Sequence, residues 1–203
     1  MAAAAGAKRK KKKLRVNPKR FIPVLALLII LVGVAGYYLS RALEKKTYTL
    51  AYAAEIQACA EEFGVDPYLV ASVIFVESSG RPEVVSPKGA VGLMQIMPDT
   101  GEWIAGKLDL ADYTEASLIV PADNIRLGCW YLRYLLDRYE NRENALAAYN
   151  AGPGNVDKWL KDENYAKDGR LTNIPFEETA HYIERVDWAY GVYTELYHDE
   201  FDE

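Results

Sequence analysis

Cysteine and histidine are scarce in this 203-residue chain, with two of each. Cys59 and Cys129 lie far apart and lack the close spacing of a metal site. His181 and His198 stand beside no residues that would make a catalytic pair, and no group of carboxylates has calcium-loop spacing. These absences leave no metal and no cofactor to expect. Acidic residues are missing from residues 1–20, which hold nine Lys and Arg: Lys8 to Lys13 with Arg9 among them, Arg15, Lys19 and Arg20. Charge of either sign is missing from residues 21–39, "FIPVLALLIILVGVAGYYL".

That uncharged run matches the roughly 20 apolar residues a helix needs to cross a bilayer. Tyr37 and Tyr38 suit its water interface. It exceeds the apolar core of a cleavable signal peptide, about 7–15 residues, although "SRA" offers a cleavage point after Ala42. The run therefore predicts a transmembrane anchor at 21–39. The basic cluster before it predicts a cytoplasmic tail at 1–20 and an extracytoplasmic body. A polar tether follows at 40–47, "SRALEKKT", then a body at 48–197 and a short acidic tail at 198–203. The net charge of −5 conceals the division, for beyond residue 20 there are 15 basic against 29 acidic residues. So acidic a body excludes nucleic acid as its partner. The N-terminal cluster can also meet anionic lipid.

The body reads as mainly helical. Tyr52, Ile56, Cys59 and Phe63 recur at helical spacing and stop at Gly64. Asp66 is a predicted N-cap, with Pro67 at the first helical position. Leu69, Val70, Val73, Ile74 and Val76 then face a core up to Glu77, where Gly80 and Pro82 end the helix. Residues 81–97 carry too many Gly and Pro for helix and read as loop with short strands. Pro98 opens a helix to Gly106, and Pro121 a longer one with Ile125, Leu127, Trp130, Tyr131, Tyr134 and Leu135 as its apolar positions. "ENALAAYN" is a further helix and "AGPGN" a turn. Residues 175–197 form the last helix through Phe176, Tyr182, Ile183, Val186, Ala189 and Tyr193. Both cysteines fall on helical patterns beside apolar neighbours, as buried thiols do, though a disulfide is permitted outside the membrane.

Glu77 closes the apolar run of its helix. The negative end of the helix dipole and partial burial both disfavour its ionisation. A carboxyl kept protonated near neutral pH is a general acid, suited to protonating a glycosidic oxygen. Its plain alternative is an exposed glutamate in a last helical turn. Four blocks in order decide between them: "ES" with "SPKGAVGLMQIMPDT", "NIRLGCWYL", "AAYNAGPGNV" and "IPFEETAHYI". Together, from about residue 50 to 195, they resemble the catalytic domain of lytic transglycosylases of the soluble, family 1 type.

That resemblance implies a lysozyme-like fold, mainly α (α+β) with a small β region beside the cleft, and peptidoglycan as substrate. It implies that Glu77 is the single catalytic acid and base, cleaving the bond between N-acetylmuramic acid and N-acetylglucosamine with formation of a 1,6-anhydro end. Ser86 resembles the serine that polarises the substrate N-acetyl group. Gln95 and Met97 match groove-lining positions; Tyr149 and Asn150 match the tyrosine beside the reacting sugar and its neighbour. Glu178 and Tyr182 match the last cleft-side block. Asn124 opens its block either as a glycan contact or as a capping and packing residue. Gly89, Gly92, Gly152 and Gly154 are read as turn formers, and Met94 as core.

Two other readings stand beside this one. A goose-lysozyme-like hydrolase would need a base for water, for which Glu83 and Asp99 are the nearby carboxylates. A membrane-anchored glycan-binding scaffold would keep the fold without turnover. No motif singles out a partner from wall synthesis, division, sporulation or secretion.

Overall fold

The computed structural model describes residues 18–201, and most of the basic cluster lies outside them, as do Asp202 and Glu203 of the acidic tail. The chain divides into two compact units, residues 1–44 and 45–203.

Helix α1 (Pro18–Thr47) has 30 residues, about 45 Å at the usual rise per residue. Its apolar stretch has a mean hydropathy of 2.4 over an 18-residue window, none of it buried. Length and composition therefore suffice to cross a membrane. Residues 40–47, expected as a tether, are instead the last two turns of α1. Leu43, Glu44 and Lys45 are ordinary helix formers, and no Gly or Pro interrupts them.

In the second unit α2 (Ala53–Phe63) ends at Gly64, whose φ of 64° is the left-handed conformation expected there. Asp66 caps α3 (Pro67–Ser78), its carboxylate accepting from the backbone N–H of Tyr68 and Leu69. Helix α3 is apolar on every side, and Leu69 to Ile74 are all buried. A helix of that kind belongs in the middle of a core. It packs chiefly on α8 (Glu177–Leu196), while α2 packs on α5 (Pro121–Tyr139), and α5 on α6 (Arg142–Ala151). Helix α4 (Pro98–Lys107) and a 3-10 turn at Glu115–Ile119 lie against α5.

On α5 the buried positions are Ile125, Leu127, Cys129, Leu132 and Leu135, with Trp130, Tyr131 and Tyr134 half-buried beside them. Cys59 and Cys129 are both buried free thiols. Phe176, expected on the apolar face of the last helix, precedes α8 and is 47% exposed. The "AGPGN" turn is also corrected. Pro153 takes the first position of α7 (Pro153–Trp159), where its missing N–H costs nothing.

The β structure is small. Residues 81–97 contribute isolated bridges Val85 to Val91 and Val91 to Ile96. Strands β1 (Ala166–Lys167) and β2 (Arg170–Leu171) form an antiparallel hairpin. Asp168 and Gly169 turn it with φ of 51° and 75°. Asn144 ties the hairpin to α6, donating to Gly169 O at 2.8 Å and accepting from Leu171 N at 3.1 Å.

Candidate active site

The loop between α3 and α4 forms one wall of a groove, and three helices hold it. Buried Ser78, in the last turn of α3, donates to Leu93 O at 2.8 Å. Tyr149 of α6 donates its hydroxyl to Met94 O at 2.8 Å. Asn124 of α5 accepts from Met94 N at 2.7 Å and donates to Val91 O and Leu118 O at 3.0 and 2.8 Å. Met94 itself is core, as expected, with its side chain seated on Gly128, where any Cβ would overlap it. Gly92 adopts a φ of +83°, and a Cβ there would collide with Leu118 O and the Asn124 amide. Close approach and positive φ both require glycine at that one place.

Along this wall lie two adjoining cavities of about 390 and 500 Å³ that share Lys88, Gln95, Met97, Tyr149, Asn150 and Glu178. Glu77, Ser86, Pro87 and Ala90 complete the first. Thr100, Tyr131, Asn155 and Phe176 are among those completing the second. Seven of the nine sequence-predicted site residues therefore meet on one groove: Glu77, Ser86, Gln95, Met97, Tyr149, Asn150 and Glu178.

Their polar atoms are partly committed. Ser86 Oγ accepts from Ala90 N at 3.0 Å, which leaves its own proton to donate. Gln95, at a positive φ of 48°, spends its amide nitrogen on Val84 O and Gly92 O, both at 3.0 Å. Asn150 Oδ1 accepts from Thr179 Oγ1 at 2.8 Å. Met97 offers an apolar surface, 42% exposed. Glu178 forms an ion pair with Lys88 Nζ at 3.2 Å across the groove.

The remaining two predicted residues lie elsewhere. Tyr182 is 5% exposed and stands behind Glu77 instead of lining the groove. Asn124 is fully buried, and its hydrogen bonds are those of a packing residue that shapes the wall. Neither Glu83 nor Asp99 lines the groove; both are exposed.

The Glu77 carboxyl is pushed up to about 7, with burial as the largest cause. Tyr182 and the Arg185 guanidinium pull it down, and the charge of Glu178 raises it further. The Tyr182 hydroxyl is buried without a partner at full hydrogen-bonding geometry, so its hold on Glu77 is a loose one. Arg185 is positioned by donating to Val76 O at 3.1 Å. Desolvation therefore wins over two attractive neighbours. Tyr149, half-buried beside Glu77, has its phenol raised well above the ordinary range by desolvation first and by Glu77 next. The groove thus carries one carboxyl poised to exchange a proton near neutral pH.

Sequence reasoning passed over Ser78, Lys88, Thr179 and Arg185. Ser78, Lys88 and Thr179 fall inside the quoted motifs, but their roles depend on partners in distant segments. Arg185 shares a helix face with Tyr182 three residues earlier, a spacing that could have drawn it in.

Residues 54–172 match the family described as Transglycosylase SLT domain. The chain is 42% identical over 121 residues to the Soluble lytic murein transglycosylase of Salmonella typhimurium, covering 58% of this chain and 19% of that protein. It is 31% identical over 129 residues to the Membrane-bound lytic murein transglycosylase C of Actinobacillus pleuropneumoniae, covering 59% and 35% of the two chains. Among solved structures it is similar to an inactive glutamate-to-glutamine mutant of Lytic Transglycosylase Slt from Pseudomonas aeruginosa. There the TM-score is 0.68 at 35% identity, over 74% of this chain and 25% of that one. The chain thus spans about a fifth of the length of the soluble relative it matches. The family match takes in more than half of the chain, from α2 to β2, and the chain belongs to the SLT transglycosylase family.

Proposed function

We propose that the chain is a membrane-anchored peptidoglycan lytic transglycosylase in which Glu77 acts first as acid and then as base. The observation that carries this reading is a single groove carboxyl raised to about 7 by burial, in a chain whose relatives are named lytic murein transglycosylases. The Pseudomonas relative inactivated by a glutamate-to-glutamine change is consistent with chemistry resting on one such group.

Protonated Glu77 donates to the β-1,4 oxygen between N-acetylmuramic acid and N-acetylglucosamine, and the bond from that oxygen to the muramyl C1 breaks. Positive charge develops at C1, where the sugar's own acetamido group assists. Ser86 keeps a free O–H and donates it to the acetamido carbonyl. Glu77, now ionised, takes the proton of the C6 hydroxyl of the same sugar as that oxygen closes onto C1. The product is a 1,6-anhydro end, and no water is consumed. An intramolecular nucleophile has a high effective molarity, so no second carboxylate is needed to hold water. Gln95, Met97, Tyr149 and Asn150 would line the sugars on either side of the break.

A hydrolase would need that second carboxylate. Glu83 and Asp99, the carboxylates weighed for that role, lie off the groove. For the anchor, the uncharged run at 21–39 and the basic cluster before it support a cytoplasmic N-terminus and an extracytoplasmic catalytic unit. Purified full chain in detergent, incubated with peptidoglycan sacculi, tests the role of Glu77. Solubilisation by wild type and its loss in Glu77→Gln are expected; equal solubilisation by both would remove Glu77 from the chemistry.

A further inference from the structure

Lys88 is the one cation among the residues lining either half of the groove. It belongs to the loop wall, and its Nζ reaches over to both carboxylate oxygens of Glu178 at 3.3 and 3.2 Å. Both residues line both cavities, so the pair stands where the two halves meet. Side chains of the two are 77% and 71% exposed. An ion pair that open contributes little, so a competing anion displaces Glu178 readily. Arg185, whose charge acts on Glu77, is held by the backbone at Val76.

The expected ligand is itself anionic. Each muramyl residue carries a lactyl group on which a peptide ends in free carboxylates, and the body of the chain beyond residue 20 has 29 acidic against 15 basic residues. Such a body repels an anionic strand unless a local cation meets it. From this geometry we infer that Lys88 exchanges Glu178 for a carboxylate on the lactyl-peptide substituent of the glycan, and so selects strands that carry one. The inference rests on the peptidoglycan reading above. Lys88 is on this account a specificity residue that binds beside the scissile bond and takes no part in proton transfer.

The test measures release of anhydro ends by the full chain in detergent from three glycans: strands with native peptides, the same strands with peptide carboxylates converted to amides, and strands stripped of peptide. The wild type should favour native over amidated strands, and the preference should fade as salt rises. Lys88→Glu should lower the native-to-amidated rate ratio by about fivefold, the scale of an exposed pair near 1 kcal/mol. Lys88→Arg should keep it. Glu178→Gln, which removes the competitor, should raise it. Stripped strands carry a free lactyl carboxylate in place of the peptide: sensitivity to Lys88→Glu kept there shows that Lys88 also takes a carboxylate at that position, and sensitivity lost confines the contact to the peptide. A Lys88→Glu ratio equal to that of wild type overturns the inference. Absence of anhydro ends from all three glycans with wild type would instead sink the transglycosylase reading.

Discussion

Glu77→Gln should stabilise the protein, and by an amount that depends on pH. A rise in the Glu77 carboxyl from 4.5 to about 7 on folding corresponds to about 3 kcal/mol of linkage. The sign follows from proton counts. Between pH 4.5 and 7 the unfolded chain releases this proton while the folded chain keeps it, so wild-type stability falls as pH rises through that window. Glutamine cannot ionise and loses nothing. The stability gap between Glu77→Gln and wild type should therefore be small below pH 4, widen through the window and level off above pH 8. For a chain of this size 3 kcal/mol is about 6–12 °C in Tm. Paired calorimetric or denaturant titrations at closely spaced pH values measure the gap directly. A gap that stays constant from pH 4 to pH 8 would refute the claim that burial keeps the Glu77 carboxyl protonated.

Tyr182→Phe removes a group that holds the Glu77 carboxyl down, so the alkaline limit of activity should move to higher pH; a pH–rate profile checks it. Asn124→Ala leaves Met94 N and Leu118 O without their partner, while Val91 O keeps the N–H of Ile96. At about 1–3 kcal/mol for each buried orphan it should destabilise the unit by at least about 2 kcal/mol, read by urea unfolding. Gly92→Ala places a Cβ against Leu118 O at a φ of +83°. It should cost about 3 kcal/mol or more in the same assay and should also disrupt the groove wall, with activity falling alongside stability.

Much of the fold was legible because its signals are local. Asp66 before Pro67 and Gly64 after Phe63 each specify a helix end through their own backbone chemistry, and the structure has both ends there. The signal at Pro153 was ambiguous. Proline after glycine serves a turn as well as a first helical turn, and only the burial of Val156 and Trp159 behind it selects the helix. The hairpin at Ala166–Leu171 did carry a sign, the Asp168–Gly169 pair at its turn. Strands of two residues, however, give no alternation to read.

At the groove, seven residues drawn from the motif blocks meet. The blocks did not separate those that face the groove from those that build it. Asn124 and Tyr182 sit in the same blocks as groove residues, yet both are buried. Whether an amide faces a sugar or a backbone carbonyl depends on where α5 meets the 81–97 loop, a contact between segments about 30 residues apart. Lys88 is the converse case. Its partner Glu178 is 90 residues away, so the pair across the groove could not be read from either segment alone.

In the proposed mechanism one carboxyl suffices because the substrate supplies its own nucleophile. Mass spectrometry of glycan fragments released by the full chain in heavy-oxygen water tests this most directly. Muramyl ends one water lighter than reducing ends and free of solvent oxygen are expected. Reducing muramyl ends that carry the heavy label, with anhydro ends absent, would contradict that mechanism.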